Sequence, residues 1–277
     1  MRKVLICLFC SLLCTGCNPQ MEAETEPEAE SRAETPSVIV NVQETPAEKS
    51  SMTESGDPLS ESEAEAQPEA GALSGKRICI DPGHCVTNEK QREQVSPKSS
   101  ETKNVFGGGT SGRNQTEEKL NLTVGLLLRD ALKAEGAEVI MTREVSEIVI
   151  NNIERAQIGN SADCCIRIHA DGVDDSSVHG VSVLVPDGAL LGTPEIIAPS
   201  AELGQLMVDC VAAQTGAKNR GVVNRSDLVG FNWSEVPVVL IEMGFMTNPE
   251  EDAKLETAEY QQKIVQGIVE SLKAWYA

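Results

Sequence analysis

EEKLNLTVGLLLRDALKAEGAEVIMT, running from Glu117 to Thr142, decides the fold class. Leu120, Val124, Leu127, Leu128, Ala131 and Leu132 recur at spacings of three and four, which places them along one side of a 3.6-residue helix and predicts a helix from Glu117 to Glu135. Gly136 is the stop, and Ala137 to Thr142 (AEVIMT) then reads as a strand. A helix handing over to a short apolar strand is one step of an alternating α/β chain.

The alternation extends in both directions. Upstream, Lys76 to Asp81 (KRICID) is a short apolar run that ends at Pro82-Gly83, a buried strand entering a loop. Downstream, the pattern predicts a helix from Glu147 to Asn160 with Ile150, Ile153 and Ala156 inward, strands over Cys164 to Ile168 and Gly180 to Val185, a helix over Ala198 to Thr215, a strand over Val236 to Ile241 and a closing helix from Thr257 to Trp275. Strands separated by helices favour a single α/β domain built on an open, mostly parallel sheet with helices on both faces. Neither an internal repeat nor a second domain is visible.

The first 74 residues have a different composition. In MRKVLICLFCSLLCTGC, Arg2 and Lys3 precede an apolar run from Val4 to Leu13, followed by the small residues Thr15 and Gly16, the layout of an export signal. A spanning helix needs about 20 apolar residues, and this run is about half that length. Cys17 after Thr15-Gly16 resembles a bacterial lipobox, with Cys14 where leucine is usual, so residues 1–17 are read as a lipoprotein-type signal with lipidation at Cys17. Cleavage nearby with free secretion is the alternative.

Residues 18–74 hold 14 acidic against 2 basic side chains and no aromatic residue. Such a segment buries too little apolar surface to offset its chain entropy, and predicts a disordered acidic linker. Residues 75–277 form the predicted folded domain. They carry 29 acidic and 19 basic side chains, and a net charge of -10 argues against nucleic acid as a partner, because phosphate binding needs a basic footprint.

The domain holds Cys79, Cys85, Cys164, Cys165 and Cys210, none in C-x-x-C spacing, so a thiolate zinc cluster has no support. Buried strand positions suit Cys79 and one of Cys164 and Cys165, whereas Cys85 has the option of a disulfide whose partner the sequence does not name.

In open α/β sheets, chemistry collects at the carboxyl ends of strands. Three polar residues fall there: His84, His169 and Glu242. Zinc favours imidazole nitrogen and carboxylate oxygen, and catalytic sites use three protein ligands. A strand-end histidine is also a common hydrogen-bonded structural residue, and the pattern leaves both readings open.

The strings IDPGH (Ile80 to His84), EEKLNL (Glu117 to Leu122), RIHAD (Arg167 to Asp171) and VPVVLIEMGFMTNPEED (Val236 to Asp252) resemble, in this order and spacing, the zinc-dependent N-acetylmuramoyl-L-alanine amidases of the type 3 family. The resemblance spans Lys76 to Ala277. It implies hydrolysis of the amide bond between N-acetylmuramic acid and L-alanine in peptidoglycan, with one zinc ion as cofactor. It implies His84, Glu117 and His169 as metal ligands and Glu242 as the catalytic base and then acid. Glu118 is the alternative should the helix start shift, and a capping box with Asn114 is the alternative role for Glu117.

His179 matches no metal position and is read as a loop or groove residue. Asn224, Arg225, Asn232 and Trp233 are read as loop residues before the Val236 strand, and residues 86–116, with their GGGTSG, as a mobile loop over the cleft. Peptidoglycan is the expected partner, the lipid at Cys17 the expected membrane link, the outer face of the membrane or the wall the expected location, and a monomer the expected state. Two alternatives stand beside the amidase: a zinc peptidase acting within the stem peptide, and a non-catalytic wall-binding protein on the same fold.

Overall fold

The computed structural model describes residues 71–87, 89–105, 107 and 109–277; the predicted signal, Cys17 and the linker as far as residue 70 lie outside the described residues. A six-stranded sheet organises the domain. Its strands are β1 (Arg77–Pro82), β4 (Glu138–Met141), β5 (Cys164–Asp171), β6 (Val181–Pro186), β7 (Asn219–Arg225) and β8 (Val238–Phe245), in the order β4-β1-β5-β8-β6-β7. All neighbours are parallel except β6 and β8, which run antiparallel. A separate hairpin pairs β2 (Arg92–Ser96) with β3 (Ser99–Asn104).

Side chains alternate across each strand, and the two faces have different fates. Ile78 and Ile80 of β1, Ile166 and Ile168 of β5 and Val239 and Ile241 of β8 point to one face. There they meet α1 (Glu117–Ala134), α3 (Ile197–Thr215) and the closing helix Ala258–Tyr276 through Leu120, Val124, Leu203, Met207, Ile264 and Ile268, all buried. This is the main core.

Cys79, Cys165, Val238 and Leu240 point to the other face, against α2 (Asn152–Gly159) and the short α4 (Val229–Asn232), with Phe231 fully buried. Further along the same rows this face turns polar: Asp81 follows Cys79, Arg167 and His169 follow Cys165, and Glu242 follows Leu240. The apolar half of the row anchors the sheet and the polar half builds a site at the strands' carboxyl ends.

Several sequence expectations are corrected. Residues 71–74 belong to the domain rather than the linker: Leu73 is fully buried and its N–H donates to the Glu135 carbonyl at 3.0 Å. The second helix starts at Asn152, not Glu147, because Asn151 accepts from the Glu154 N–H while Glu154 accepts from the Asn151 N–H, a complete capping box.

The stretch read as a mobile loop contains the β2–β3 hairpin. The hairpin is tied down by Glu93, which accepts from the N–H groups of Asn152 (3.0 Å) and Ile153 (3.3 Å), and by Trp233, whose indole donates to the Gln94 carbonyl at 3.1 Å. Asn224 and Arg225 lie on the edge strand β7, and Asn232 is fully buried rather than in an open loop. Cys79, Cys164 and Cys165 are all buried, and the five cysteines of the domain, Cys85 included, are free thiols.

Candidate active site

His84 stands two residues beyond β1, Glu117 is the first residue of α1, and His169 lies within β5, two residues before its end. The three bring one ligand atom each within 4.8 Å of one another. Glu117 Oε1 is 3.0 Å from His84 Nε2 and 3.0 Å from His169 Nδ1, so a single carboxylate oxygen faces both rings. Its partner Oε2 accepts from the Thr110 N–H at 2.8 Å.

Both alternatives for this carboxylate fail. Glu118 turns away toward Arg143 (3.4 Å), and the helix is capped at Thr116 with no side-chain cap bond, while Asn114 donates to Glu256 on a neighbouring segment. His179 is outside the cluster, its ring against the Ser177 carbonyl at 2.9 Å.

Close approach explains one glycine. A Cβ on Gly83 would sit 2.2 Å from the His169 ring, so only glycine lets the His84 loop cross over the second imidazole. Gly83→Ala is expected to push His169 aside and to lower divalent-metal affinity at least tenfold, the loss typical of disturbed ligand support, read by competition with a chromophoric chelator. Unchanged affinity would mean that the ring position does not matter.

His84 itself has φ 60, the one non-glycine residue with positive φ among the described residues. Such a conformation costs roughly 1–2 kcal/mol, and backbone strain of this kind concentrates at functional sites.

The donor set suits a cation. His84 Nδ1 lies 3.2 Å from the Gly107 carbonyl, and its Nε2 points at the Glu117 carboxylate. His169 Nε2 and Glu242 Oε2 are buried with no hydrogen-bond partner.

Burial pulls the His169 ring toward its neutral, metal-competent form against the pull of Glu117. In Glu117 burial favours the neutral acid, but hydrogen bonds from His169 and His84 outweigh it and hold the carboxyl well below the usual range. Two imidazoles and one carboxylate match the chemistry of zinc.

Glu242 is the cross-strand partner of His169 in the β5–β8 register and shares its face of the sheet. Burial, then Asp171 and Glu117, raise its proton affinity well above that of an ordinary glutamate, with Arg225 opposing. Beside His84 opens a cleft of about 480 Å³ lined by His84, Cys85, Val86, Gly109, Thr110 and Ser111.

Sequence reasoning missed the charges beneath the site. Asp81 is almost fully buried and accepts from Thr142 Oγ1 (2.5 Å), Arg155 Nη1 (2.6 Å) and Arg167 Nε (2.8 Å). Arg143 is buried as well, against the carbonyls of Pro82, Gly83 and Glu118. The available signal was a charge inside an apolar run, as in KRICID and CCIRI, and an arginine next to the inward-facing Ala156 of a helix.

The comparisons with known proteins agree with this geometry. Residues 78–274 match the family model described as N-acetylmuramoyl-L-alanine amidase. The N-acetylmuramoyl-L-alanine amidase Rv3717 of Mycobacterium tuberculosis is 30% identical over 213 residues, covering 74% of this chain and 88% of the relative.

Among solved structures, the N-acetylmuramyl-L-alanine amidase of Mycobacterium smegmatis superposes with a TM-score of 0.67 at 28% identity, over 74% of this chain and 98% of that one. The N-acetylmuramoyl-L-alanine amidase of Clostridium difficile gives 0.59 at 25% identity, over 72% and 96%. A family match across most of the domain, a fold shared with these structures and a His-Glu-His cluster at the strand ends establish that this chain belongs to the N-acetylmuramoyl-L-alanine amidase family, hydrolases of the bond between N-acetylmuramic acid and L-alanine in peptidoglycan.

Proposed function

We propose that this amidase is zinc-dependent, with one ion held by His84, Glu117 and His169 and with Glu242 as its proton-transfer residue. The observation that carries this reading is the single carboxylate oxygen of Glu117, 3.0 Å from His84 Nε2 and from His169 Nδ1, with one ligand atom from each of the three residues within 4.8 Å of one another. A zinc ion bound there would supply Lewis acidity for the scissile carbonyl and for the attacking water.

Glu242 takes the proton from water as it attacks the lactyl carbonyl. The same carboxyl then returns that proton to the departing amine of L-alanine. Burial, Asp171 and Glu117 raise the proton affinity of Glu242, which makes it a better acceptor for the proton of water and keeps that proton on the carboxyl until the amine departs. Burial of Oε2 keeps bulk water from competing for the proton.

We further propose export, retention at the membrane through lipid on Cys17, action on the wall side as a monomer, and an acidic linker that lets the domain reach its substrate. Elemental analysis of the purified protein, with product analysis on peptidoglycan fragments, tests the enzymatic reading. One zinc per chain and a new free L-alanine amine on the stem peptide are expected. Cleavage inside the stem would favour a peptidase, and no cleavage by metal-loaded protein a binding role. Cys17→Ala is expected to move the protein from the membrane fraction to the medium, and full retention at the membrane would refute the lipid anchor.

A further inference from the structure

We infer that Arg143 and Arg155 form a clamp that fixes the backbone of His84 so that its ring meets Glu117, which makes both arginines positioning residues for the hydrolytic site. The inference builds on the reading of His84 as a metal ligand.

Three consecutive carbonyls, those of Pro82, Gly83 and His84, accept from these two side chains. Pro82 O takes Arg143 Nε at 2.9 Å and Arg155 Nη1 at 2.8 Å. Gly83 O takes Arg143 Nη2 at 2.9 Å, and His84 O takes Arg155 Nη2 at 2.8 Å.

Each arginine is itself held from behind. Arg143 Nη2 also donates to the Glu118 carbonyl at 2.8 Å, which ties the His84 loop to the first turn of α1, where Glu117 sits. Arg155 projects from α2, and its Nη1 also donates to Asp81 Oδ1 at 2.6 Å. Their side chains are 0% and 4% exposed, so water does not substitute for these donors.

The clamp answers a specific need. His84 carries φ 60, a conformation uncommon outside glycine, and the loop crosses directly over the His169 ring. With both guanidiniums in place, the three carbonyls around the left-handed turn at His84 are satisfied; without them the Pro82 and His84 carbonyls lose their side-chain donors, and Gly83 keeps only the longer bond from Asn121. A fork of several donors in one plane is what arginine provides and lysine does not. Arg167 is the internal comparison. It pairs with the same Asp81, through Nε at 2.8 Å, yet its remaining bond goes to Asn152 and not to the three carbonyls.

The test uses the full-length, metal-free protein titrated with cobalt(II), whose visible absorption reports the geometry of its ligands. Arg143→Lys and Arg155→Lys are expected to keep the far-ultraviolet circular dichroism of the parent, to bind cobalt about 10- to 100-fold more weakly, and to change the shape of the visible bands. Arg167→Lys is expected to leave affinity and band shape unchanged, and His84→Ala to abolish the spectrum.

Parent-like affinity and bands in both clamp variants, with His84→Ala spectrally silent, would overturn the clamp while leaving the ligand reading intact. An unaltered spectrum in His84→Ala would remove the ligand reading and the clamp with it. An equal loss in Arg167→Lys, or failure of both clamp variants to fold, would also overturn it, because the arginines would then serve the stability of the whole network rather than the position of His84.

Discussion

Glu242→Gln is expected to lower kcat on peptidoglycan fragments by about 100- to 10,000-fold, the range that general acid–base catalysis contributes, while metal binding stays at the parent level. Glutamine keeps the size and the β8 position of the side chain but neither accepts a proton from water nor returns one to an amine. KM is expected to change little, since the proton is in transit only in the transition state. Two features separate this outcome from simple damage. Glu242 is not among the three residues whose ligand atoms cluster, so the His84–Glu117–His169 cage is left whole. The substitution also removes an ionisable group from a buried strand, where burial, Asp171 and Glu117 already favour its neutral form, so folding stability should hold or rise. Parent-like turnover in this variant would end the assignment of Glu242, and lost cobalt binding would show that it supports the metal instead.

The parts of this architecture that were legible in the sequence share one property: their burial is set by a local apolar pattern. The helix from Glu117 onward is apolar at the helical period, the strands around Ile166 and Val239 are short continuous apolar runs of the kind a sheet covered on both faces requires, and their positions follow within a few residues. Glu242 and His169 were visible for the complementary reason, as charged or polar groups that close such runs.

The hairpin Arg92–Asn104 was not legible, because its strands are polar and only half-buried, and what fixes them comes from far along the chain: the amides of α2, the indole of Trp233 and the amide of Asn232. The edge strand NRGVVNR escaped notice likewise, with one neighbour and a largely exposed surface. The buried ionic network broke the local rules altogether. Arg155 on the inner side of α2 and Arg167 within an apolar strand make sense only once β1 brings Asp81 between them. Such local violations concentrate where a protein builds its site, here directly beneath His84.

That network yields the second large prediction, which is about stability. Asp81→Asn is expected to cost about 3–5 kcal/mol, the penalty for removing one partner from a buried ion pair, and so to lower Tm by about 6–20 °C in a domain of this size. The asparagine fits the space and still accepts from Thr142, but Arg155 and Arg167 lose the carboxylate that compensates them, with the buried Arg143 already nearby.

The same pairing sets a pH dependence. Burial would raise the proton affinity of Asp81, but Arg155, Arg167 and the Thr142 hydroxyl outweigh it and hold the carboxyl well below the usual range. A carboxyl whose folded pKa lies under its unfolded value of about 3.9 stabilises fully above that value and loses its contribution as pH falls toward the folded one. Denaturant unfolding of the metal-free protein between neutral pH and about pH 3 should therefore show the parent losing stability faster than Asp81→Asn below about pH 4, so that the two curves converge in acid. Parallel curves, or a variant as stable as the parent at neutral pH, would mean that the arginines find other compensation and that Asp81 is dispensable.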